Sequence, residues 1–125
     1  MRVLVACEFS GTVRDAFEKR GHDAWSCDIL AAPGKHLHCD VREILGDLWD
    51  LAICHPPCTF LTVAANKWMK PEWAHKYPTR KQDREHAVKF FMELYNAPIP
   101  KIAVENPIGV MSTRFRKPDQ VLQPW

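Results

Sequence analysis

The sequence lacks several features that would assign it quickly to a class. No apolar run approaches the about 20 residues that a membrane-spanning helix needs, so we expect no contact with a membrane. The formal net charge of the 125 residues is only +2, so any contact with a nucleic acid must come from a local cluster of cations. Internal repeats, low-complexity tracts and linkers are absent, and the first residues are typical of a buried strand and not of a signal peptide.

The composition is that of a folded protein in a reducing compartment. Hydrophobic residues make up 46% of the chain and aromatic residues 10%, which predicts one globular domain over residues 1–125. The five cysteines are odd in number and lie in or beside apolar runs. Without a secretory signal, this pattern favours reduced thiols and a cytoplasmic location over a disulfide framework.

Short apolar runs alternate with amphipathic stretches along the chain. The predicted strands are Arg2–Ala6, Asp23–Asp28, His36–Cys39, Asp50–Cys54 and Lys101–Glu105. The predicted helices are Gly11–Arg20, Val41–Leu45 and one that opens at a capping box of Thr79 with Gln82. The tail from Ser112 is predicted as coil. This alternation predicts an α/β fold, a Rossmann-like three-layer sandwich with about five mostly parallel strands.

Polar or reactive residues stand where the predicted strands end. They are residues 7–11, Asp28, Asp40, residues 55–59 and residues 105–107. In open parallel sheets, ligands bind outside the carboxyl ends of the strands, near the point where the strand order reverses. We therefore expect the functional site at this edge of the sheet.

Two of these residues are candidates for covalent and acid–base chemistry. Cys58 follows two prolines that stiffen its loop, and a thiol becomes a nucleophile when part of it is thiolate. Glu105 closes the last predicted strand, where a carboxyl kept protonated would serve as a general acid. The alternatives are a buried structural cysteine and a solvated acid at a strand end.

The order of these motifs resembles that of the cytosine-5 DNA methyltransferases. Pro56-Pro57-Cys58 is similar to their Pro-Pro-Cys motif, and Glu105-Asn106 is similar to their Glu-Asn motif. Phe9-Ser10-Gly11 resembles the start of their cofactor loop, Asp28 the acid that holds the cofactor ribose, and Asp40 the aspartate that contacts adenine. Stretches such as VACEFSGTVRDAF, HPPCT and AVENP resemble small phage and prophage members of the family, over nearly the whole chain.

The resemblance implies a complete reaction. The fold would be of the S-adenosylmethionine-dependent methyltransferase type, with the cofactor held by Phe9, Ser10, Gly11, Asp28, Asp40 and Pro56. Cys58 would attack carbon 6 of cytosine, and a methyl group would pass from S-adenosylmethionine to carbon 5. Glu105 would share a proton with ring nitrogen 3, and Asn106 would fix the Glu105 turn by hydrogen bonds. The substrate would be DNA, with its base flipped out, or a cytosine nucleotide.

The chain also departs from the family pattern. Its cofactor loop has fewer glycines than the larger enzymes, and His55 stands where they often have glycine. Because the sequence printed here ends at Trp125, we expect no separate target-recognition domain within it. The short length is compatible with a C-terminal truncation, with a minimal enzyme and with a remnant of one. A homo-oligomer or a partner chain could also supply the missing segments. A phage-encoded protein would act in the host cytoplasm.

Cations interleave with aromatic residues between the two motifs. This pattern suits a surface that pairs with phosphates and stacks on bases, and equally a solvated helix face with anchoring aromatics. The nucleic-acid-binding residues predicted on this basis are Lys67, Lys70, Lys76, Arg80, Lys81 and Arg84.

Three other functions are alternatives to the methyltransferase. A zinc module would use Cys54, His55 and Cys58, with His36, His38 and Cys39, although no Cys-x-x-Cys pair supports it and our prediction is no metal. A non-catalytic protein would bind S-adenosylmethionine or DNA without trapping at Cys58. An amino-group methyltransferase would share the Pro-Pro pair, but His55 and Cys58 fit that class poorly.

Overall fold

Five short strands form one sheet in the computed structural model of the protein, which describes residues 1–107 and 109–122. The strands are β1 (Arg2–Ala6), β2 (Asp23–Asp28), β3 (His36–His38), β4 (Leu51–Cys54) and β5 (Lys101–Val104). The α-helices are α1 (Thr12–Lys19), α2 (Arg80–Tyr95) and α3 (Val110–Arg114). Single-turn and two-turn 3-10 helices cover Val41–Glu43, Val63–Met69 and Pro71–Trp73.

The strand order is β3-β2-β1-β4-β5, and every neighbouring pair is parallel. Ala6 at the end of β1 lies beside Cys27 of β2 and Cys54 of β4. This order reverses direction between β1 and β4, as it does in doubly wound nucleotide-binding folds. The prediction of an α/β protein with a five-stranded parallel sheet is confirmed, and the sheet is compatible with a Rossmann-like fold.

The chain divides into two compact units, each made of two segments. The first unit comprises Met1–Pro57 and Phe90–Glu105 and contains the whole sheet. The second comprises Cys58–Lys89 and the residues from Asn106 onward. Helix α2 contributes its first ten residues to the second unit and its last six to the first. The prediction of a single domain stays a prediction.

Helices cover both faces of the sheet in the first unit. Leu4 and Ala6 belong to a core that also contains Leu94 of α2, which is fully buried. Val3 and Val5 point to the opposite face, where Val13 and Phe17 of α1 pack against them. Because successive side chains of a strand alternate between faces, the apolar run of β1 supplies both cores. This arrangement provides the three layers predicted from the sequence.

A close approach of two backbones organises the second unit. Thr62 and Gly109 form an isolated antiparallel bridge, and the Val110 amide donates to the Leu61 carbonyl at 2.9 Å. A Cβ at position 109 would lie 2.1 Å from the Leu61 oxygen, so a side chain there would force the segments apart. Leu61, Val110 and Met111 are buried beside the bridge and anchor it.

Several predicted boundaries differ from the observed ones. The helix predicted at Val41–Leu45 is a 3-10 turn over Val41–Glu43, whose N-terminus is capped by the Asp40 carboxylate. The Thr79 hydroxyl donates to the carboxylate of Asp83, so the predicted capping box with Gln82 is replaced by another pair. The coil predicted from Ser112 is wrong for the first three residues, which complete α3. A helix of five residues is too short to produce a visible sequence period.

No helix in the described part of the chain is both long enough and apolar enough to cross a membrane.

Candidate cofactor site and catalytic loops

The loops after β1, β2, β4 and β5 begin in register at the carboxyl edge of the sheet. The amide of Glu8 donates to the Cys27 carbonyl, and the amide of His55 donates to the Ala6 carbonyl. The amide of Glu105 in turn donates to the Cys54 carbonyl at 2.9 Å. Four of the five predicted polar strand endings therefore follow one another across this edge, on both sides of the reversal in strand order.

Glu8 lies in the predicted segment 7–11, but the sequence analysis gave it no role of its own. It is only 7% exposed, although a carboxylate is seldom buried without partners. Its Oε1 accepts hydrogen bonds from the Val13 amide at 2.8 Å and the Ser10 hydroxyl at 3.2 Å, and its Oε2 accepts from the Arg14 amide at 3.2 Å. The carboxylate thus occupies the N-terminus of α1, where free amides and the helix dipole favour negative charge. An acid a few residues before a predicted helix was the available signal.

Gly11 adopts the left-handed conformation, with φ of 78°, and directly precedes α1. A Cβ on Gly11 would lie 2.4 Å from Nη2 of Arg14. The space above this glycine is therefore filled by the chain itself, through the buried guanidinium of Arg14. Nη1 of Arg14 donates to the Ser26 hydroxyl at 3.0 Å and to the Pro33 carbonyl at 3.1 Å, which ties the loop after β2 to α1.

Asp28 ends β2 beside exposed apolar side chains. Its Oδ1 accepts a hydrogen bond from the Leu30 amide at 2.8 Å, which turns the chain away from the sheet. Ile29 is 72% exposed and Leu30 is 55% exposed, and Phe9 in the loop after β1 is 57% exposed. Large apolar side chains exposed next to a carboxylate are typical of a surface that an amphipathic ligand covers.

Asp40 is more heavily engaged than Asp28. Its Oδ1 accepts from the Arg42 amide at 2.9 Å, and its Oδ2 accepts from Nη1 of the same arginine at 3.1 Å. Burial raises the pKa of the Cys7 thiol to about 12, and the negative charges of Asp28 and Asp40 add to the rise. The three side chains therefore influence one another electrostatically at this edge of the sheet.

His55 and Glu105 stand at the ends of the two neighbouring strands β4 and β5. Nδ1 of His55 lies 3.9 Å from Oε2 of Glu105, whose side chain is 61% exposed. Nε2 of His55 is buried and has no hydrogen-bond partner among the described residues. Pro56, the next residue in the chain, was predicted to contact the cofactor, and it is buried.

Cys58 and Asn106 both belong to the second unit. The Cys58 side chain is a half-buried free thiol. The backbone carbonyl of Cys58 accepts a hydrogen bond from the Leu61 amide at 2.9 Å, so a tight turn begins at this residue. Both polar atoms of the Asn106 amide are buried and unpaired within the described ranges. This result differs from the prediction that Asn106 fixes the Glu105 turn through hydrogen bonds. A buried amide without partners costs free energy, which needs a reason other than local structure.

The predicted nucleic-acid-binding segment packs its aromatic rings together. Trp68 makes edge contacts with Trp73 and Tyr77, with ring centroids 5.0 Å apart in each case. Lys67 lies over the Trp68 ring at 4.4 Å, and Arg80 lies over the Tyr77 ring at 5.0 Å. The aromatic rings therefore hold the segment together. The side chains of four of the predicted cations are exposed to solvent: Lys67, Lys70, Lys76 and Lys81.

Arg84 has a different environment from the other predicted cations. Its Nε donates to the Phe60 carbonyl at 2.6 Å, and its Nη2 is buried without a partner among the described residues. Burial lowers the pKa of this guanidinium, and the nearby charge of Arg114 lowers it further. The Arg84 side chain thus holds the loop that follows Cys58 through its hydrogen bond to a backbone carbonyl.

Two histidines of the zinc alternative, His36 and His38, have hydrogen-bond partners elsewhere. Nδ1 of His36 lies 2.7 Å from the Ser26 hydroxyl, and Nε2 of His38 lies 2.9 Å from the Ile29 carbonyl oxygen. Cys54 is fully buried, and burial raises the pKa of its thiol to about 12. Within residues 1–107 and 109–122, no three His, Cys, Asp or Glu side chains are arranged to hold a metal ion.

Comparisons with known proteins add no constraint on the function. A scan against protein-family models, a search of the curated proteins and a search of the solved structures each found no match for this chain. The functional argument therefore depends on the motifs and on the contacts described above.

Proposed function

We propose that the protein is an S-adenosylmethionine-dependent methyltransferase of the DNA cytosine-5 type. The motif order Phe9-Ser10-Gly11, Pro56-Pro57-Cys58 and Glu105-Asn106 supports this proposal, together with a parallel sheet in the order that nucleotide-binding folds use. The loop after β1, Asp28 and Asp40 supply the cofactor half, and Cys58 with Glu105 supplies the chemistry. The sheet itself supports only the α/β class, so the methyltransferase type is part of the proposal.

The observation that carries the cofactor proposal is the hydrogen bonding of Glu8. Dinucleotide-binding proteins of this strand order place a pyrophosphate on the N-terminus of the helix after β1. Here the Glu8 carboxylate already accepts from the Val13 and Arg14 amides at that position. A pyrophosphate would be repelled by this carboxylate. A nucleoside cofactor that has no phosphate and carries a positive sulfonium suits an edge that bears Glu8, Asp28 and Asp40.

The fit of a nucleoside is supported by the surface around Asp28. Oδ2 of Asp28 makes no hydrogen bond to the described residues, so it is available to accept from ribose hydroxyls. Phe9, Ile29 and Leu30 expose the apolar area that a flat base would cover. Asp40 has both oxygens bonded to Arg42, so its part in cofactor binding requires that Arg42 yields one of them. When bound, S-adenosylmethionine supplies an electrophilic methyl group.

The chain's own residues would activate the cytosine ring. The Cys58 thiolate adds to carbon 6, and Glu105 holds a proton at ring nitrogen 3 while charge develops there. After methylation, loss of the proton at carbon 5 breaks the bond to carbon 6 and releases Cys58. Because the Glu105 side chain is 61% exposed, it needs the bound base to exclude water before it can act as an acid. The unpaired amide of Asn106 is a second group kept ready for the substrate, at a cost to stability.

A calorimetric titration with S-adenosylmethionine tests the cofactor half. The Asp28→Asn variant keeps the hydrogen bond to the Leu30 amide while it removes the charge. We expect saturable one-site binding by the native chain and about tenfold weaker binding by this variant. Asp47→Asn removes an exposed carboxylate elsewhere and is the matched control. A dinucleotide titrated in parallel should not bind.

The possible results separate the proposal from its main alternative. Failure to bind at millimolar S-adenosylmethionine, or tighter binding of a dinucleotide, would contradict the cofactor assignment. Saturable binding without covalent capture of Cys58 by DNA that contains 5-fluorocytosine would favour the non-catalytic binding protein. Binding together with capture supports the full proposal.

A further inference from the structure

The second unit contains an open cavity of about 450 Å³ outside the proposed methyl-transfer residues. Its lining includes two arginines, two hydroxyl residues and an asparagine. They are Arg84, Arg114, Ser112, Thr113 and Asn66. Neither Cys58 nor Asn106 belongs to this lining, so the cavity needs a separate explanation.

The charge of the cavity is positive and incompletely balanced. Arg114 makes a two-pronged ion pair with Glu85, at 2.5 Å and 2.8 Å. Arg84 has no carboxylate partner among the described residues and binds only the Phe60 carbonyl. Two guanidinium groups are therefore served by one carboxylate, which itself lies outside the lining. The two guanidinium charges repel each other: burial lowers the pKa of Arg84, and the charge of Arg114 lowers it further.

Part of the hydrogen-bonding capacity of the Arg84 guanidinium is also unused. Its Nη2 is buried and has no acceptor within the described ranges. An unpaired donor on a buried cation is more costly than one on a neutral group. An anion in the cavity would supply the negative charge that Arg84 lacks among the described residues.

The other lining residues suit an oxyanion with several oxygens. The Ser112 hydroxyl has no hydrogen bond among the described residues and is free to donate, while the Thr113 hydroxyl donates to the Val110 carbonyl. Asn66 adds an exposed amide at the mouth. A planar guanidinium group can donate two parallel hydrogen bonds to two oxygens of one phosphate.

We infer that the cavity lined by Arg84, Arg114 and Ser112 binds a phosphate group. The group is either a backbone phosphate of a nucleic-acid strand or the phosphate of a free nucleotide. The inference does not require methyl transfer, because the proposed cofactor residues all belong to the first unit and the cavity to the second. The site differs from the row of exposed lysines, which hold no buried donor.

Two variants with opposite expected effects test the inference. Arg114→Gln removes one guanidinium, and Glu85→Gln frees Arg114 from its carboxylate without touching the lining. In titrations with inorganic phosphate at constant ionic strength, we expect Arg114→Gln to weaken binding about tenfold. Glu85→Gln should tighten it several-fold. Arg20→Gln removes an exposed arginine at the end of α1 and should leave the affinity unchanged.

The source of the phosphate is tested with the same variants. A short oligodeoxynucleotide and cytidine monophosphate replace inorganic phosphate as probes. Oligonucleotide binding that falls in Arg114→Gln and rises in Glu85→Gln assigns the site to a nucleic-acid backbone. If only the mononucleotide follows this pattern, the site holds a free nucleotide.

Two results would overturn the inference. One is the absence of phosphate binding by the native chain, and the other is equal affinity in the native chain, Arg114→Gln and Glu85→Gln. Circular dichroism of each variant shows that it is folded. S-adenosylmethionine titrated into the same variants should bind as in the native chain, so failure of the phosphate site and failure of the proposed cofactor site are distinguishable.

Discussion

Oε1 of Glu8 accepts a hydrogen bond of 2.8 Å from the backbone amide of Val13, inside the first turn of α1. The second oxygen accepts from the next amide, that of Arg14. A loop carboxylate thus satisfies two of the four amides that a helix leaves unpaired at its N-terminus. The same bonds fix the loop after β1 to the start of α1, so this contact joins the stability of the fold to the shape of the proposed cofactor site.

Replacing Glu8 should destabilise the protein. Glu8→Ala removes both hydrogen bonds and the charge at the helix N-terminus, so we expect the free energy of unfolding to fall by about 2 kcal/mol. Glu8→Gln keeps an acceptor and should cost about half as much. Urea unfolding measures both, with Glu72→Ala as the control because Glu72 is exposed. A Glu8→Ala variant as stable as the control would show that the cap contributes nothing.

Three alanine variants separate the two demands on Gly11. Gly11→Ala meets an unfavourable φ of 78° and the Arg14 guanidinium. Gly21→Ala meets a similar φ of 88° but open space, and Gly46→Ala meets neither. We expect losses of unfolding free energy of about 2 kcal/mol for Gly11→Ala and about 1 kcal/mol for Gly21→Ala, with no loss for Gly46→Ala. Equal losses at positions 11 and 21 would mean that Arg14 moves aside freely.

Stability should fall at alkaline pH because of buried thiols. Burial raises the pKa of Cys7, Cys27 and Cys54 to about 12. Below about pH 9 these thiols are protonated in both the folded and the unfolded state, so they add no pH dependence. Between about pH 9 and pH 12 only the unfolded state loses the protons, so the free energy of unfolding falls as the pH rises.

The slope of that fall can be assigned to single thiols. Each buried thiol contributes up to about 1.4 kcal/mol per pH unit within the window. Cys54→Ala removes one of them and should make the decline shallower by up to about one proton, in urea unfolding from about pH 9 to about pH 11. Cys58→Ala, which removes a half-buried thiol, serves for comparison. An unchanged slope in Cys54→Ala would contradict the burial of this thiol.

The Asn106 side chain should lower the stability of the fold, and we expect it to be kept because it serves the substrate. Both polar atoms of its amide are buried and unpaired among the described residues, so Asn106→Leu, of similar size, should raise the free energy of unfolding by about 1 kcal/mol. The same variant should lower methyl transfer if the amide serves the substrate. Asn96→Leu, at an exposed position, should change neither. Destabilisation by Asn106→Leu would mean that the amide has bonding partners in solution.

Cys58→Ser should abolish methyl transfer and leave cofactor binding intact. A hydroxyl is a much weaker nucleophile than a thiolate, so the turnover should fall by several orders of magnitude. Transfer of a labelled methyl group to cytosine-containing DNA measures it. Cys39→Ser makes the same chemical change at another half-buried thiol and should retain activity. Full activity in Cys58→Ser would contradict the covalent mechanism.

The local elements of the fold were predictable from the sequence. The bounds of β1 and β2 are those predicted, because their apolar residues and flanking turn signals are contiguous in the chain. The parallel sheet followed from the alternation of strands and helices. The first turn of α3 was missed, because one helical turn offers no repeat and its stability comes from the burial of Val110 and Met111.

The candidate site was predictable only in part. The sequence identified the strand endings as a group, since all parallel strands end at one edge. It could not show that Glu8 bonds to the α1 amides, or that Arg14 fills the space above Gly11. Those contacts depend on backbone direction in the loop, and residue type alone does not specify that direction.

The sequence by itself determined the class of fold, the positions of its strands and the motifs that suggest methyl transfer. The tertiary structure alone decided which of the charged residues share an environment. Arg84 and Arg114 come from helices that are distant in the chain, yet they line one cavity, where Glu85 pairs with Arg114 and Arg84 has no carboxylate partner among the described residues. Strand and helix propensities act over a few residues, whereas the partners of a buried charge are chosen by the packing of segments far apart in the chain.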